Sequence, residues 1–256
     1  KQIRSYIDNH TNEAIDLVEK VVNINSGTLN FKGNKKVGKI FQAELDKLGF
    51  KTYWVTYPKE IKRSGHLFAE MRGGKGQNIL LIGHLDTVFE PDHPFQKYTR
   101  KGETAYGPGV SDMKAGDVSM IYIMKALDKI GVLHDLNLTL AFTGDEEKTG
   151  GPVSIVRKEL VEAGKWANIG LGFEGAVGMN TGTIARRSSS SWVLTTTGIQ
   201  GHSSQIFKDH LGYGAIFEAS RILNAFREEL GPEEYLTFNP GTMVGGTDVT
   251  YDTVNS

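Results

Sequence analysis

Three short apolar runs in this chain end in an acid or a histidine, and that repetition constrains the fold more than any other feature. Ile79-Leu80-Leu81-Ile82 leads into Gly83-His84-Leu85-Asp86. Residues 136–143 alternate Leu136, Leu138, Leu140 and Phe142 and lead into Gly144-Asp145-Glu146-Glu147. Residues 169–173 lead into Glu174-Gly175. The first run is continuously apolar, as in a strand buried on both faces. Between the runs lie helical patterns: residues 114–130 put Val118, Ile121, Met124, Ala126 and Leu127 on one face, and residues 153–163 read as a second helix. Strands alternating with helices predict an α/β fold, whose ligand crevice lies beyond the carboxyl ends of the strands. Asp112 joins the set from a glycine-rich turn, residues 106–116, just before a helix. Acids scattered in sequence thus converge on one sheet edge.

The N-terminal part fits the same layered plan. Residues 3–22 have helical spacing, as one helix or as two joined at Thr11 acting as an N-cap. A second amphipathic helix covers 35–48 and stops at Gly49. Residues 52–56 and 67–71 read as strands, and 89–101 as a surface loop. At 256 residues the chain is one large domain or two smaller ones. A formal net charge of −1 without any basic run argues against nucleic acid. No apolar run approaches the roughly 18 residues of a membrane span. The absence of cysteine excludes disulfides and thiolate chemistry but not an oxidising compartment. Because the chain begins at Lys1, both a cytoplasmic location and a periplasmic or secreted one after removal of a signal peptide fit.

His84 and Asp86, two residues apart, point the same way on extended backbone. A carboxylate there suits one ring nitrogen of a histidine whose other nitrogen binds a metal. One histidine with several carboxylates and no cysteine suits Zn²⁺, Mn²⁺ or Co²⁺. The acids exceed the needs of a single zinc; in a two-metal site a carboxylate bridges ions roughly 3.5–4 Å apart, and Asp112 is the natural bridge. Glu146 and Glu147, if extended, point in opposite directions, so one binds metal while the other takes a proton from an activated water.

Gly83-His-Leu-Asp-Thr-Val88, Gly109-Val-Ser-Asp-Met-Lys-Ala-Gly116, Gly144-Asp-Glu-Glu147 and Phe173-Glu-Gly175 closely resemble the dizinc exopeptidase and deacylase family of glutamate carboxypeptidase, aminoacylase and succinyl-diaminopimelate desuccinylase. The resemblance implies a mixed central sheet flanked by helices over residues 1–186, with an inserted smaller α+β lid, used for dimerisation, over 187–256. It implies two zinc ions: His84 and Glu174 on one, Glu147 on the other, Asp112 bridging. Asp86 would orient His84, Glu146 would be the general base, and His202 would reach a partner subunit's site to stabilise an oxyanion. It also implies a cis peptide after Asp112. The family's remaining zinc ligand is a histidine near its C-terminus, whereas the last histidine here is His210. The chain therefore reads as incomplete in its lid, with strand-like stretches over 183–199 and from Tyr235 onward and a helix over 214–230.

The function so implied is hydrolysis of a peptide or amide bond in small peptides or N-acyl amino acids by a zinc-activated water, most simply as a glutamate-type carboxypeptidase. The alternatives are an N-acyl amino acid deacylase and, from another class, a non-catalytic binding protein; an intact Glu146 speaks against the last. Among residues outside the motifs, His10, His66, His93, His134 and His210 read as surface or capping histidines. Ser188 to Ser191 read as a hinge, and Arg186-Arg187 as an exposed pair without a role.

Overall fold

The computed structural model describes residues 1–178, 180–231 and 233–246. The chain divides into two compact units between Gly182 and Thr183; the family resemblance implies a boundary at 186/187.

The first unit opens with two helices, α1 (Gln2–Val22) and α2 (Phe31–Lys47). α1 is continuous: the Thr11 hydroxyl donates to the Ile7 carbonyl one turn back, at 2.9 Å, and so does not cap a second helix. α2 begins earlier than its apolar face suggests because the Asn30 side chain accepts the Gly33 N–H at 3.1 Å. Then follow β1 (Lys51–Val55), β2 (His66–Arg72) and β3 (Lys75–His84). A small hairpin, β4 (Thr99–Lys101) and β5 (Thr104–Tyr106), stands where part of a loop was expected. The unit continues through α3 (Ala115–Lys129), β6 (Leu136–Thr143), α4 (Val153–Val156), α5 (Lys158–Trp166) and β7 (Ile169–Gly172). The single helix expected over 153–163 is interrupted at Arg157 (φ −108°, ψ 2°), whose guanidinium is tied to Asp145.

The sheet is mixed, in the order β1-β2-β6-β3-β7. β1, β2 and β6 pair antiparallel, whereas β3 runs parallel to both β6 and β7. Alternate residues serve opposite faces. Leu67, Ala69, Leu81, Leu138, Leu140 and Phe142 pack with α1, α2 and α3 through Val21, Val37, Phe41, Ile121 and Met124. Phe68, Leu80 and Ala141 pack on the other face with Leu160 and Ala163 of α5. The Ile79–Ile82 run is apolar throughout because helices cover both its faces.

Register decides where the site forms. His84 pairs with Thr143, so β3 and β6 end together; Ile82 pairs with Gly172, so β7 ends two residues sooner and Glu174 follows it by two. The loops leaving them therefore start side by side.

In the second unit the described helix is α6 (Ala215–Glu229), as the sequence pattern predicts. Residues 183–199, expected as strand, form no ladder among the described residues, and neither do residues 237–246; an isolated bridge joins Glu233 and Leu236. Strand propensity becomes structure only when a neighbouring strand takes the backbone hydrogen bonds. The expected strand's continuation over 247–256 lies outside the described residues. No helix among the described residues is long and apolar enough to cross a membrane.

Candidate active site

His84, the last residue of β3, is buried, and its two ring nitrogens face different surroundings. Nδ1 lies 3.0 Å from the main-chain oxygen of Asp86 and 3.6 Å from its Oδ1. Nε2 faces outward, 2.9 Å from Asp112 Oδ1 and 3.3 Å from Glu174 Oε1. Donor atoms of His84, Asp112 and Glu174 all lie within 4.8 Å of one another. Burial alone would lower the His84 pKa, but the Asp86, Asp117 and Glu174 carboxylates outweigh it and push it up to about 10. The surroundings thus favour the positively charged ring. One imidazole nitrogen and two carboxylates, without sulfur, form a donor set suited to a divalent ion such as Zn²⁺.

Asp112 reaches this position through a sharp bend. Gly109 adopts φ 77°, a left-handed conformation that favours glycine, and the Asp112–Met113 peptide is cis. Lys114 then anchors the segment: its buried ammonium donates to the Val21 and Ile24 carbonyls, both at 3.1 Å, at the C-terminal end of α1. Gly116 lets α3 start against the end of β7, since a Cβ there would collide with the Phe173 carbonyl oxygen. That contact sets Glu174 beside Asp112.

Glu146 and Glu147 lie in a turn, because β6 ends at Thr143. Their relation is therefore not the alternation of an extended strand. The buried Asp86 carboxylate gathers both main chains: Oδ1 accepts the Glu146 N–H at 3.0 Å and Oδ2 the Glu147 N–H at 3.1 Å. Oδ2 also accepts the Thr28 hydroxyl at 2.7 Å. Burial would raise Asp86, but the His84 imidazole, the Thr28 hydroxyl and the Glu146 amide outweigh it and hold the carboxyl below its ordinary range. Glu147 is pushed up to about 7, by burial and then by the neighbouring Asp112 charge. It stands outside the tight trio of His84, Asp112 and Glu174.

His202 belongs to the second unit, where its ring Nδ1 accepts the Ser204 N–H at 3.2 Å at the start of a short 3-10 turn.

Sequence reasoning missed four participants. Thr28 lies in the link between α1 and α2, and only the parallel bridge between Gly27 and Thr87 brings it to Asp86. Lys114, buried with its ammonium on the Val21 and Ile24 carbonyls, is given no role by the sequence pattern. Asp117 is fully buried against Gly83, neither carboxylate oxygen has a hydrogen-bond partner among the described residues, and burial raises its pKa well above the ordinary value. His66, expected at the surface or in a cap, is completely buried. The reason is β2's central place between β1 and β6, which its short sequence run does not announce.

The fold is shared with solved structures. Human carnosine dipeptidase 1 superposes with a TM-score of 0.56 at 19% identity, over 77% of this chain and 42% of that one. The M20 family metallo-carboxypeptidase Sso-CP2 of Sulfolobus solfataricus gives 0.50 at 21% identity, over 64% and 37%. In sequence the chain is 31% identical over 217 residues to carboxypeptidase G2 of Pseudomonas sp. (strain RS-16), covering 82% of this chain and 49% of the relative. It is 32% identical over 196 residues to succinyl-diaminopimelate desuccinylase of Bordetella petrii, covering 70% and 50%. The chain thus spans about half the length of the curated relatives it matches. Residues 80–253, from β3 through the acid-bearing loops into the second unit, match the description Peptidase family M20/M25/M40, and the chain belongs to that family.

Proposed function

We propose that the protein hydrolyses a peptide or amide bond beside a free carboxylate, in small peptides or N-acyl amino acids, as a glutamate-type carboxypeptidase. The observation that carries this reading is the convergence of His84, Asp112 and Glu174 within 4.8 Å at the carboxyl edge of the sheet. In this reading His84 and Glu174 would hold one zinc ion and Glu147 a second, with the Asp112 carboxylate shared by both. Zinc at such a site supplies Lewis acidity toward a carbonyl and makes water more acidic. Glu146, tethered through its amide to Asp86 with its side chain exposed, accepts the proton of the attacking water and returns it to the leaving amine. Asp86 orients His84 and both glutamates at once. His202 donates to the oxyanion from the lid of a partner subunit in a homodimer.

Carboxypeptidase G2 supports the first choice of substrate; the desuccinylase relatives support an N-acyl amino acid deacylase as the second. A panel of C-terminal glutamate dipeptides, other dipeptides and N-acyl amino acids separates them. Amino-acid release is expected with zinc, to be lost with chelator, and Glu146→Gln should lower kcat by about 10²–10⁴-fold with metal retained. Turnover that ignores chelator, or full turnover in Glu146→Gln, defeats the assignment. Binding of these substrates without release would indicate a binding protein.

A further inference from the structure

His66 opens β2, and its two ring nitrogens have complementary partners. Nδ1 lies 3.1 Å from the Gly144 nitrogen, whose N–H can only donate, so Nδ1 is the acceptor. Nε2 lies 2.9 Å from the Val156 carbonyl, which can only accept, so Nε2 carries the proton. Both bonds are satisfied only by the neutral ring in this tautomer, and burial favours the same form by lowering its pKa. Arg157, 3.4 Å from Nε2, adds a cation that disfavours a charged ring, while Asp145 Oδ1 stands farther off at 3.8 Å. Tyr57 packs edge-on, 5.3 Å between centroids.

Gly144 is where β6 gives way to the turn bearing Glu146 and Glu147. The far end of that turn is closed by Asp145, whose Oδ2 accepts the Gly150 N–H at 2.8 Å. Arg157 braces it by donating to the Asp145 carbonyl at 3.1 Å and to the Thr149 hydroxyl at 3.2 Å. His66 thus holds one end of the turn and Asp145 the other, with both glutamates between.

We propose that His66 is a positioning residue for the Glu146–Glu147 pair: by accepting the Gly144 N–H, it sets the turn so that both glutamate amides reach the Asp86 carboxylate. The proposal rests on the roles given above to the two glutamates, but its geometry can be tested without turnover.

Residue-resolved amide hydrogen exchange in the metal-free protein is the test. His66→Phe keeps a ring against Tyr57 and deletes both nitrogens; His66→Asn restores an acceptor for Gly144. The Glu146 and Glu147 amides should exchange about tenfold faster or more in His66→Phe, while those of α2 keep their rates. His66→Asn should recover much of the protection. In turnover, kcat should fall about tenfold in His66→Phe with KM little changed. Unchanged exchange at Glu146 and Glu147, or exchange that rises equally in α2, overturns the proposal. If His66→Phe does not fold, His66→Gln, which keeps a donor for Val156 and displaces the acceptor, is read by the same criteria. A local exchange effect in a protein without hydrolytic activity would overturn the functional reading and leave the positioning role standing.

Discussion

The site has a floor and a rim, and they are built on opposite principles. Asp86 and Asp145 in the floor are buried, and every strong bond they make is to a group fixed by the fold: Thr28, the Glu146 and Glu147 amides, Gly150 and Arg157. The rim acids Asp112 and Glu174 keep side-chain exposures of 66% and 40%, and both turn toward one nitrogen of His84. Folding completes the floor by itself. The rim gathers like charges around a single imidazole, an arrangement that a cation stabilises. Orientation is therefore assigned to buried hydrogen bonds, and charge is left for the ligand.

The largest expected effect breaks the floor. Asp86→Ala deprives the Thr28 hydroxyl and two amides of their acceptor and should cost about 3–5 kcal/mol, read from denaturant unfolding. Thr28→Val deletes one of those bonds and should cost about 1–3 kcal/mol. Equal, negligible losses would mean that the floor is not what holds the turn.

The rim should respond to metal instead. Zinc at a hundred times its Kd should stabilise the protein by about 2.7 kcal/mol. Asp112→Asn should abolish that gain while leaving the metal-free protein within about 1 kcal/mol of wild type, since its pair with His84 is exposed on one side. A zinc shift that survives Asp112→Asn would place the metal elsewhere.

The smallest effect is in the pH dependence, where His66, behind the floor, and Glu147, beside the rim, have opposite signs in metal-free protein. His66, facing Asp145, Arg157 and Tyr57, has its folded pKa lowered by burial, so the native state binds fewer protons than the unfolded chain. Its contribution is present above about 6.5 and is lost as pH falls below that value. Glu147, raised to about 7, binds its proton more tightly when folded, so its contribution is lost as pH rises from about 4.3 to 7. Thermal unfolding across pH 4–8 should therefore show stability rising more steeply with pH in Glu147→Gln, and less steeply in His66→Asn, than in wild type. Matching slopes in all three would refute the contrast.

Much of the rim is legible in the amino-acid sequence alone. His84, Asp112 and Glu174 each follow an apolar run or a glycine-rich turn, and strand ends in an α/β sheet share an edge. Local pattern also yields β6, α3 and α6 almost to the residue, because their periodicity is strong and largely undisturbed by long-range contacts. Strand propensity over 183–199 misleads, since pairing is not a local property. The floor is the part that sequence leaves out. Thr28 lies 58 positions from Asp86, and His66 lies 78 from Gly144. No spacing rule joins such residues, and neither type announces burial. The chain by itself determined which side chains could do chemistry and which elements carry them. Only the tertiary structure, through the parallel register of β3 with β6 and β7 and the parallel bridge at Thr87, decided which groups hold those side chains in place. A hydrogen bond between distant segments exists only once packing has brought them together, and packing depends on the whole core.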